Sequence, residues 1–179
     1  MKKAIFLVVV LFLAKFSAPA QALIPSDAES KISFVIKNMG MNVEGTLKGL
    51  KGNMTFDPKN LGGSSFDITV DVNTINTGID KRDKHLRTGD FFHEEKFPVI
   101  RLKSLKIVSK GGTNYATTAQ LTIKNVSKNI GITFSAVPST AGYGFTGNFT
   151  INRKDFGVGG SSMTMGDEVN VTLSVAAKK

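Results

Sequence analysis

Apolar and polar residues alternate one by one in short runs along most of this chain, and no other feature restricts its fold as much. The run FDITVDV at residues 66–72, for example, places an apolar side chain at every second position. A period of two residues is typical of a β-strand with one buried face. Such runs lie at residues 32–36, 43–56, 66–72, 99–107, 119–123, 130–136, 145–151 and 169–175. The chain is therefore predicted to be all-β, with about eight strands.

Short turn sequences separate the runs, which predicts antiparallel neighbours in a sandwich or a closed barrel. The run at residues 43–56 is interrupted by glycines and is interpreted as either two strands or one long strand with bulges. Glycines inside strands let a sheet bend sharply or let another group approach it closely. Gly45, Gly49, Gly52 and Gly147 therefore favour the barrel over the sandwich.

One charged and aromatic segment, RDKHLRTGDFFHEEKFP at residues 82–98, interrupts the strand pattern. Leu86 lies three or four residues from several polar positions, which is the spacing of one or two helical turns. A short helix is predicted near residues 81–89, with Gly89 as its stop. Pro98 then favours an extended residue before the next strand.

The first residues have the pattern of an export signal. Lys2 and Lys3 precede an apolar run from Ala4 to Ala14, and Ala20-Gln21-Ala22 matches a signal-peptidase site. The apolar run is shorter than the roughly 20 residues that a membrane span requires. We expect residues 1–22 to be a cleaved signal peptide and residues 23–179 to form one periplasmic or secreted domain of 157 residues (179 minus 22).

Composition excludes some chemistry. The chain has no cysteine, so disulfides, thiol catalysis and cysteine metal sites are excluded. The net charge of +9 becomes +6 when the three lysines of the signal segment are subtracted (9 minus 3). The remaining lysines are scattered over the strands rather than interleaved with aromatic residues on one face, so nucleic-acid binding is not expected. Transient contact with an anionic membrane surface is compatible with this charge.

Charged residues in the interrupting segment admit two interpretations. His85 and His93, with carboxylates nearby, have the residue types of a metal or acid–base cluster. No HExxH spacing is present, and one short helix does not bring the two histidines together. The favoured interpretation gives Arg82, Asp83 and His85 a structural or head-group role, with Arg82 and Asp83 as a charge pair that fixes the helix and His85 as a polar residue at the barrel rim. No catalytic or metal-binding residue is therefore predicted.

A second charged group lies at a predicted strand end. Arg153 and Asp155 flank Lys154 before Phe156-Gly157. We interpret them as a structural ion pair. The alternative is a clamp for a ligand head group, because an anionic or quinone oxygen can accept hydrogen bonds from the Arg153 guanidinium.

The interior of such a barrel has two possible states. Eight strands enclose a space that side chains either fill or leave partly open for one small or narrow ligand. Alternation alone leaves both states open. The predicted lining residues are Ile32, Phe34, Ile36, Ile68, Val70, Phe134, Phe145, Phe149, Val171 and Leu173.

The order of motifs resembles the YceI-like, polyisoprenoid-binding family over nearly the whole mature chain. The resemblance is carried by ISFVIKNMG, VEGTLKGLKGNMTFDP, LTIKNVSKNI and FTGNFTINRKDFGV, and most specifically by NTINT, RD before HL, DFF and KFP in the central segment. It implies an exported, eight-stranded antiparallel lipocalin-like barrel whose apolar lumen takes a long isoprenoid or similar amphiphile, without catalysis or a cofactor. The chain departs from the family pattern at residues 37–40, 93–94, 125 and 127. These departures affect the expected head group more than the fold.

The expected function is therefore that of an exported, non-enzymatic carrier or storage protein for a polyisoprenoid, such as an isoprenoid quinone, or a related amphiphilic lipid. The alternative is a packed barrel that acts through its surface on a membrane or a protein partner in a stress response. The sequence leaves the oligomeric state open, a dimer included.

Overall fold

Eight strands pair in chain order and the last pairs with the first, which closes a barrel in the computed structural model. The structure describes residues 21–179. The strands are β1 Ala22–Asn38, β2 Met41–Thr55, β3 Ser65–Asn76, β4 Val99–Gly111, β5 Asn114–Ile123, β6 Val126–Pro138, β7 Gly142–Asn152 and β8 Met165–Lys178. One helix, α1 Asp80–Arg87, and two short 3-10 turns, Leu61–Gly63 and Arg153–Phe156, complete the fold.

All strand pairs are antiparallel, and side chains at every second position point into the barrel. The closing pair joins β1 to β8, with Phe34 opposite Val171 and Ile32 opposite Leu173. Residues 43–56 contribute one long strand, β2, whose pairing with β3 shifts register on either side of Lys48. The predicted all-β barrel with one short helix is confirmed.

One end of the barrel is closed by an aromatic cluster, and we call it the aromatic end. Phe56 is buried at its centre. The ring of Phe56 lies 5.1 Å from that of Tyr115, 5.2 Å from that of Tyr143 and 5.4 Å from that of Phe145, each nearly edge to face. Such pairs add to the stabilisation that comes from burial alone. The aromatic end is therefore a packed core.

The opposite end, which we call the helical end, contains α1, the β1–β2 turn and the loop that precedes β8. Helix α1 ends at Arg87, about two turns after its start. Thr88 terminates it, because the Thr88 amide and hydroxyl both donate to the carbonyl oxygen of His85, at 3.1 and 2.8 Å. The prediction that Gly89 ends the helix is wrong, since a side-chain hydroxyl satisfies the last turn instead of a left-handed glycine.

The predicted signal peptide lies outside the described residues except for Gln21 and Ala22. Strand β1 begins at Ala22, and Leu23 is buried opposite Met54 of β2. Within residues 21–179, no helix has the length and apolar character needed to cross a membrane.

Candidate functional site

A cavity of about 180 Å³ occupies the half of the barrel between the aromatic cluster and the helical end. Seven of the eight strands contribute to its wall, and the lining surface is almost wholly apolar. Leu86 of α1, with Phe91 and Phe92 after it, lines the cavity at the helical end. A cavity whose wall is almost wholly apolar favours an apolar ligand.

Most of the residues predicted from alternation lie on this wall. Those that line the cavity are Ile32, Phe34, Ile36, Ile68, Val70, Phe149, Val171 and Leu173. Phe134 and Phe145 point inward but belong to the aromatic cluster, where their ring centroids are 6.3 Å apart. Alternation predicts which way a side chain faces, but it does not predict its height along the barrel axis.

A second, smaller void of about 50 Å³ lies on the aromatic side of the cavity, and Phe134 and Phe145 line it. Ile68, Leu102 and Leu173 line both spaces. These three side chains therefore form the partition between the cavity and the second void.

Arg153 is a buried arginine on the cavity wall at the helical end. Its Nη1 donates to the carbonyl oxygens of Val158 and Gly160, and its Nε to that of Gly166, each at 2.9 Å. Its Nη2 donates at 2.9 Å to the carboxylate of Asp167. Arg153 thus fastens the loop that follows the second 3-10 turn to the start of β8.

The carboxylate partner of Arg153 is Asp167 rather than Asp155, so the predicted Arg153–Asp155 pair is wrong. Asp155 lies in a 3-10 turn and is exposed, whereas the loop before β8 brings Asp167 to the buried guanidinium. Lys154 also pairs with Asp167, at 2.6 Å. The hydrogen bond from Lys154, with the charge of Arg153, holds the pKa of the Asp167 carboxyl below its ordinary value.

Gly159 allows the same loop to pack closely over the cavity. It has a φ of +67°, and a Cβ atom at this position would lie 2.8 Å from the Phe91 ring and 3.0 Å from Arg153 Nη1. A side chain would therefore displace either the ring that borders the cavity or the buried guanidinium.

Arg82 and Asp83 both bind Thr77, in the connection between β3 and α1. Asp83 is buried, and one of its carboxylate oxygens accepts from the Thr77 amide at 2.9 Å and from the Thr77 hydroxyl. Arg82 Nε donates to the same hydroxyl and Nη2 to the Thr77 carbonyl oxygen, each at 2.7 Å. The predicted direct pair is wrong, because the two charges are joined through the threonine, but both residues do anchor the helix.

Comparison with known proteins identifies the family. The model of the YceI-like domain matches residues 25–177. The chain belongs to the YceI-like family. A UPF0312 protein of Pseudomonas aeruginosa is 33% identical over 151 residues, which cover 80% of this chain and 78% of that protein. A UPF0312 protein of Photorhabdus laumondii is 30% identical with the same coverage.

Solved structures of similar fold support the same assignment. BcnA of Burkholderia cenocepacia superimposes with a TM-score of 0.81 at 26% identity, over 87% of this chain and 99% of BcnA. The YceI protein of Campylobacter jejuni gives 0.69 at 29% identity, over 78% and 86%. A polyisoprenoid-binding domain of Saccharophagus degradans gives 0.67 at 14% identity, over 89% and 98%, which shows a shared fold.

The two histidines of this YceI-like barrel face aromatic rings. His85 is exposed, and its ring lies 5.0 Å from that of Phe91. The His93 ring lies 5.9 Å from that of Phe97. Among residues 21–179, no group of three or more His, Asp or Glu side chains is placed to hold a metal ion.

Three residues of this YceI-like site were missed by sequence reasoning. Thr77, Gly159 and Asp167 lie in loops or at a strand start, where alternation carries no information. Thr77 is the last residue of the NTINT motif, and the family resemblance of that motif was the one sequence signal for Thr77. Asp167 lies 14 residues from Arg153, and no spacing rule links two residues across such a loop.

Proposed function

We propose that this protein is an exported, non-enzymatic carrier or storage protein that holds the chain of a polyisoprenoid, or of a related amphiphilic lipid, in its barrel cavity. The observation that carries the proposal is the cavity of about 180 Å³, walled by apolar side chains of seven strands. A packed barrel would leave no such space. The cavity therefore favours the carrier over the alternative in which a filled barrel acts only through its surface.

The choice of isoprenoids rests on two supports of different kinds. The cavity wall is rich in branched aliphatic side chains with a few phenylalanines, which suits a methyl-branched hydrocarbon chain. The S. degradans domain of the same fold is described as polyisoprenoid-binding. An isoprenoid quinone or a similar amphiphile is accordingly the ligand to test first.

The size of the cavity bears on how a long chain would bind. An apolar cavity of roughly 150 Å³ accepts benzene, and pockets for drug-sized ligands reach about 300–1,000 Å³. A cavity of about 180 Å³ therefore encloses a segment of a long chain. Movement of Ile68, Leu102 and Leu173 would join it to the second void and lengthen the space.

Energetics favour a reversible carrier. Burying a tail of about eight isoprene units from water would release about 30 kcal/mol at about 0.8 kcal/mol per carbon. That exceeds the roughly 18–21 kcal/mol limit of non-covalent affinity. Such a lipid resides in a membrane, however, and its transfer from acyl chains to an apolar cavity changes its surroundings little. The free-energy change of this transfer is then small, so the protein can both take up the lipid and release it across an aqueous compartment.

A binding role is further supported by the polar groups near the cavity. Arg153 donates four hydrogen bonds to protein oxygens, and Asp83 accepts two from Thr77. Both therefore act on the protein framework. We assign no catalytic residue and no cofactor, and the bound lipid is the ligand.

Export to the periplasm or the medium is supported by where the predicted signal ends. Cleavage after Ala22 would leave Leu23 as the first residue, and Leu23 is already buried opposite Met54. Residues 23–179 therefore contain all eight strands, and cleavage would remove only Ala22, the first residue of β1.

Transient contact with a membrane is supported by methionines at the helical end. Met39 is 72% exposed and Met163 is fully exposed. The two belong to adjacent loops, because the Met39 amide donates to the carbonyl oxygen of Thr164 at 2.8 Å. Flexible thioethers at the helical end would enter the interface of a bilayer, from which the lipid chain would pass into the barrel.

The proposal is tested by equilibrium binding of geraniol, farnesol and geranylgeraniol, measured by displacement of a fluorescent fatty acid. We expect affinity to rise with each added isoprene unit until the chain outgrows the cavity. Affinity that is absent for all three alcohols would contradict the proposal. The surface-interaction alternative would then be the function to pursue.

A further inference from the structure

Arg82 is a charged residue on the wall of an apolar cavity. It lies one helical turn before Leu86, so the two side chains share one face of α1, and both line the cavity. Its Nε and Nη2 atoms bind the hydroxyl and the carbonyl oxygen of Thr77. Within residues 21–179, Arg82 Nη1 has no hydrogen-bond partner, and Arg82 forms no ion pair.

The second arginine on the wall provides a contrast. Arg153 directs three of its four hydrogen bonds to backbone carbonyl oxygens and the fourth to Asp167, and both hydrogens of its Nη1 are used. A guanidinium has five N–H groups, and Arg82 Nη1 is not among the buried atoms that lack a partner, so its hydrogens stay accessible to water or to a ligand. Arg82 therefore retains a donor group that a ligand can satisfy, whereas the corresponding group of Arg153 is occupied.

We propose that Arg82 Nη1 is the head-group subsite of this cavity and binds an acceptor oxygen of the lipid. This inference rests on the proposed function, because it orients a lipid in the same cavity. The polar head would lie at Arg82, at the helical end, and the chain would run past Phe34 and Phe149 toward the aromatic cluster. Arg153 would take no part in binding the head.

The local charge defines the class of head group. The Thr77 hydroxyl accepts from Arg82 and donates to Asp83, so a carboxylate already lies near the guanidinium. A ligand therefore need not supply a full negative charge. The shared requirement is an acceptor oxygen, which a quinone or ketone carbonyl, a carboxylate or a phosphate provides.

The test uses a ketone, a carboxylic acid and a hydrocarbon that share one geranylgeranyl chain. For the unaltered protein, we expect both oxygen-bearing probes to bind about 10-fold more tightly than the hydrocarbon. Arg82→Met should abolish this preference, so that all three probes bind with the same affinity, and the hydrocarbon affinity reports any effect of the lost Thr77 contacts on the cavity. Arg87→Met is the matched control on the same helix, since Arg87 binds the Asn73 carbonyl oxygen and Glu94 and does not line the cavity.

The outcomes separate the two proposals. Equal binding of all three probes by the unaltered protein, or a preference that survives Arg82→Met, would overturn the subsite and leave the carrier function standing. Binding of none of the three would remove the carrier function and the subsite with it. A preference for the acid alone would support the subsite and assign an anionic head.

A second measurement avoids any effect of the substitution on folding. In the unaltered protein, the guanidinium ¹⁵N signals of Arg82 should shift when the ketone is added and stay in place with the hydrocarbon. The signals of Arg153 should respond equally to the two probes. Arg82 signals that do not distinguish ketone from hydrocarbon would contradict the proposal.

Discussion

The ring of Phe34 in β1 lies directly over Gly45 in β2, its paired neighbour. A Cβ atom on Gly45 would be 2.2 Å from Phe34 Cζ, well inside van der Waals contact. Since Phe34 also lines the cavity, the missing side chain at position 45 determines where the ring lies and how much space remains beside it.

Gly45→Ala should therefore push the Phe34 ring into the cavity. We expect weaker binding of geranylgeraniol and a loss of about 1–3 kcal/mol in the free energy of unfolding, as for other overpacked cores. Gly131→Ala is the control, because a Cβ there meets no atom within 4 Å. Unchanged lipid affinity in a folded Gly45→Ala protein would show that the ring does not border the ligand.

Phe149→Arg places a charge on the cavity wall. The barrel should remain exported and folded, because the long side chain can extend toward the helical end, but lipid binding should be lost. Asn148→Arg adds the same charge at the neighbouring exposed position and should bind normally. Lipid extraction from both purified variants makes the comparison, and normal lipid content in Phe149→Arg would contradict the assignment of the cavity.

Leu102→Ala removes part of the partition between the cavity and the second void. The substitution should shift the best-bound isoprenol to a longer chain, at a cost of about 2–5 kcal/mol in unfolding free energy. Leu105→Ala, at an exposed position on the same strand, should change neither property. An unchanged chain-length profile for Leu102→Ala would mean that a lipid does not reach the second void.

Asp167 should make the protein less stable in acid. Its pKa is held below the ordinary value of about 3.9 by the hydrogen bond from Lys154 and the charge of Arg153. A depressed pKa stabilises the folded state above about pH 4, and this contribution is lost as the pH falls through the folded-state value. The stability difference between the unaltered protein and Asp167→Asn, measured by urea unfolding, should shrink below about pH 4.

Asp155→Asn provides the comparison for this pH dependence, because Asp155 is exposed and forms no ion pair among the described residues. It should leave stability unchanged throughout. A difference between the unaltered protein and Asp167→Asn that is constant with pH would contradict the electrostatic account.

Met163→Glu tests the proposed membrane contact. A carboxylate in place of the exposed thioether should slow the extraction of a fluorescent isoprenoid from anionic vesicles and leave binding of the same lipid from detergent unchanged. Thr118→Glu, at an exposed position on β5, is the control for added charge. Equal extraction rates for the three proteins would remove the loop before β8 from the transfer step.

Much of the barrel could be predicted, because the facing of a side chain depends only on its place in an alternating run. Strand count and the inward direction of Phe34 and Phe149 follow from that local rule, whereas the closed barrel is favoured over a sandwich by the glycines within strands. Phe134 obeys the same rule but lies in the aromatic cluster, because the depth of a residue depends on strand tilt and register, which involve distant parts of the chain.

The polar contacts could not be predicted for a related reason. Arg153 finds Asp167 across a loop, and Arg82 finds Asp83 only through the hydroxyl of Thr77. The sequence places each arginine next to or two residues from an aspartate, which led to the prediction of direct Arg82–Asp83 and Arg153–Asp155 pairs. The backbone conformation of each loop determines which oxygen lies near a guanidinium, and that conformation depends on the packed barrel beneath it.

Native mass spectrometry of the mature protein, purified from its own periplasm or medium, tests the central claim most directly. The account predicts a mass that begins at Leu23 and carries one apolar ligand, which denaturing extraction would release and identify as an isoprenoid or a related amphiphile. A protein that is empty as isolated, and that remains empty after incubation with isoprenoids and fatty acids, would contradict it.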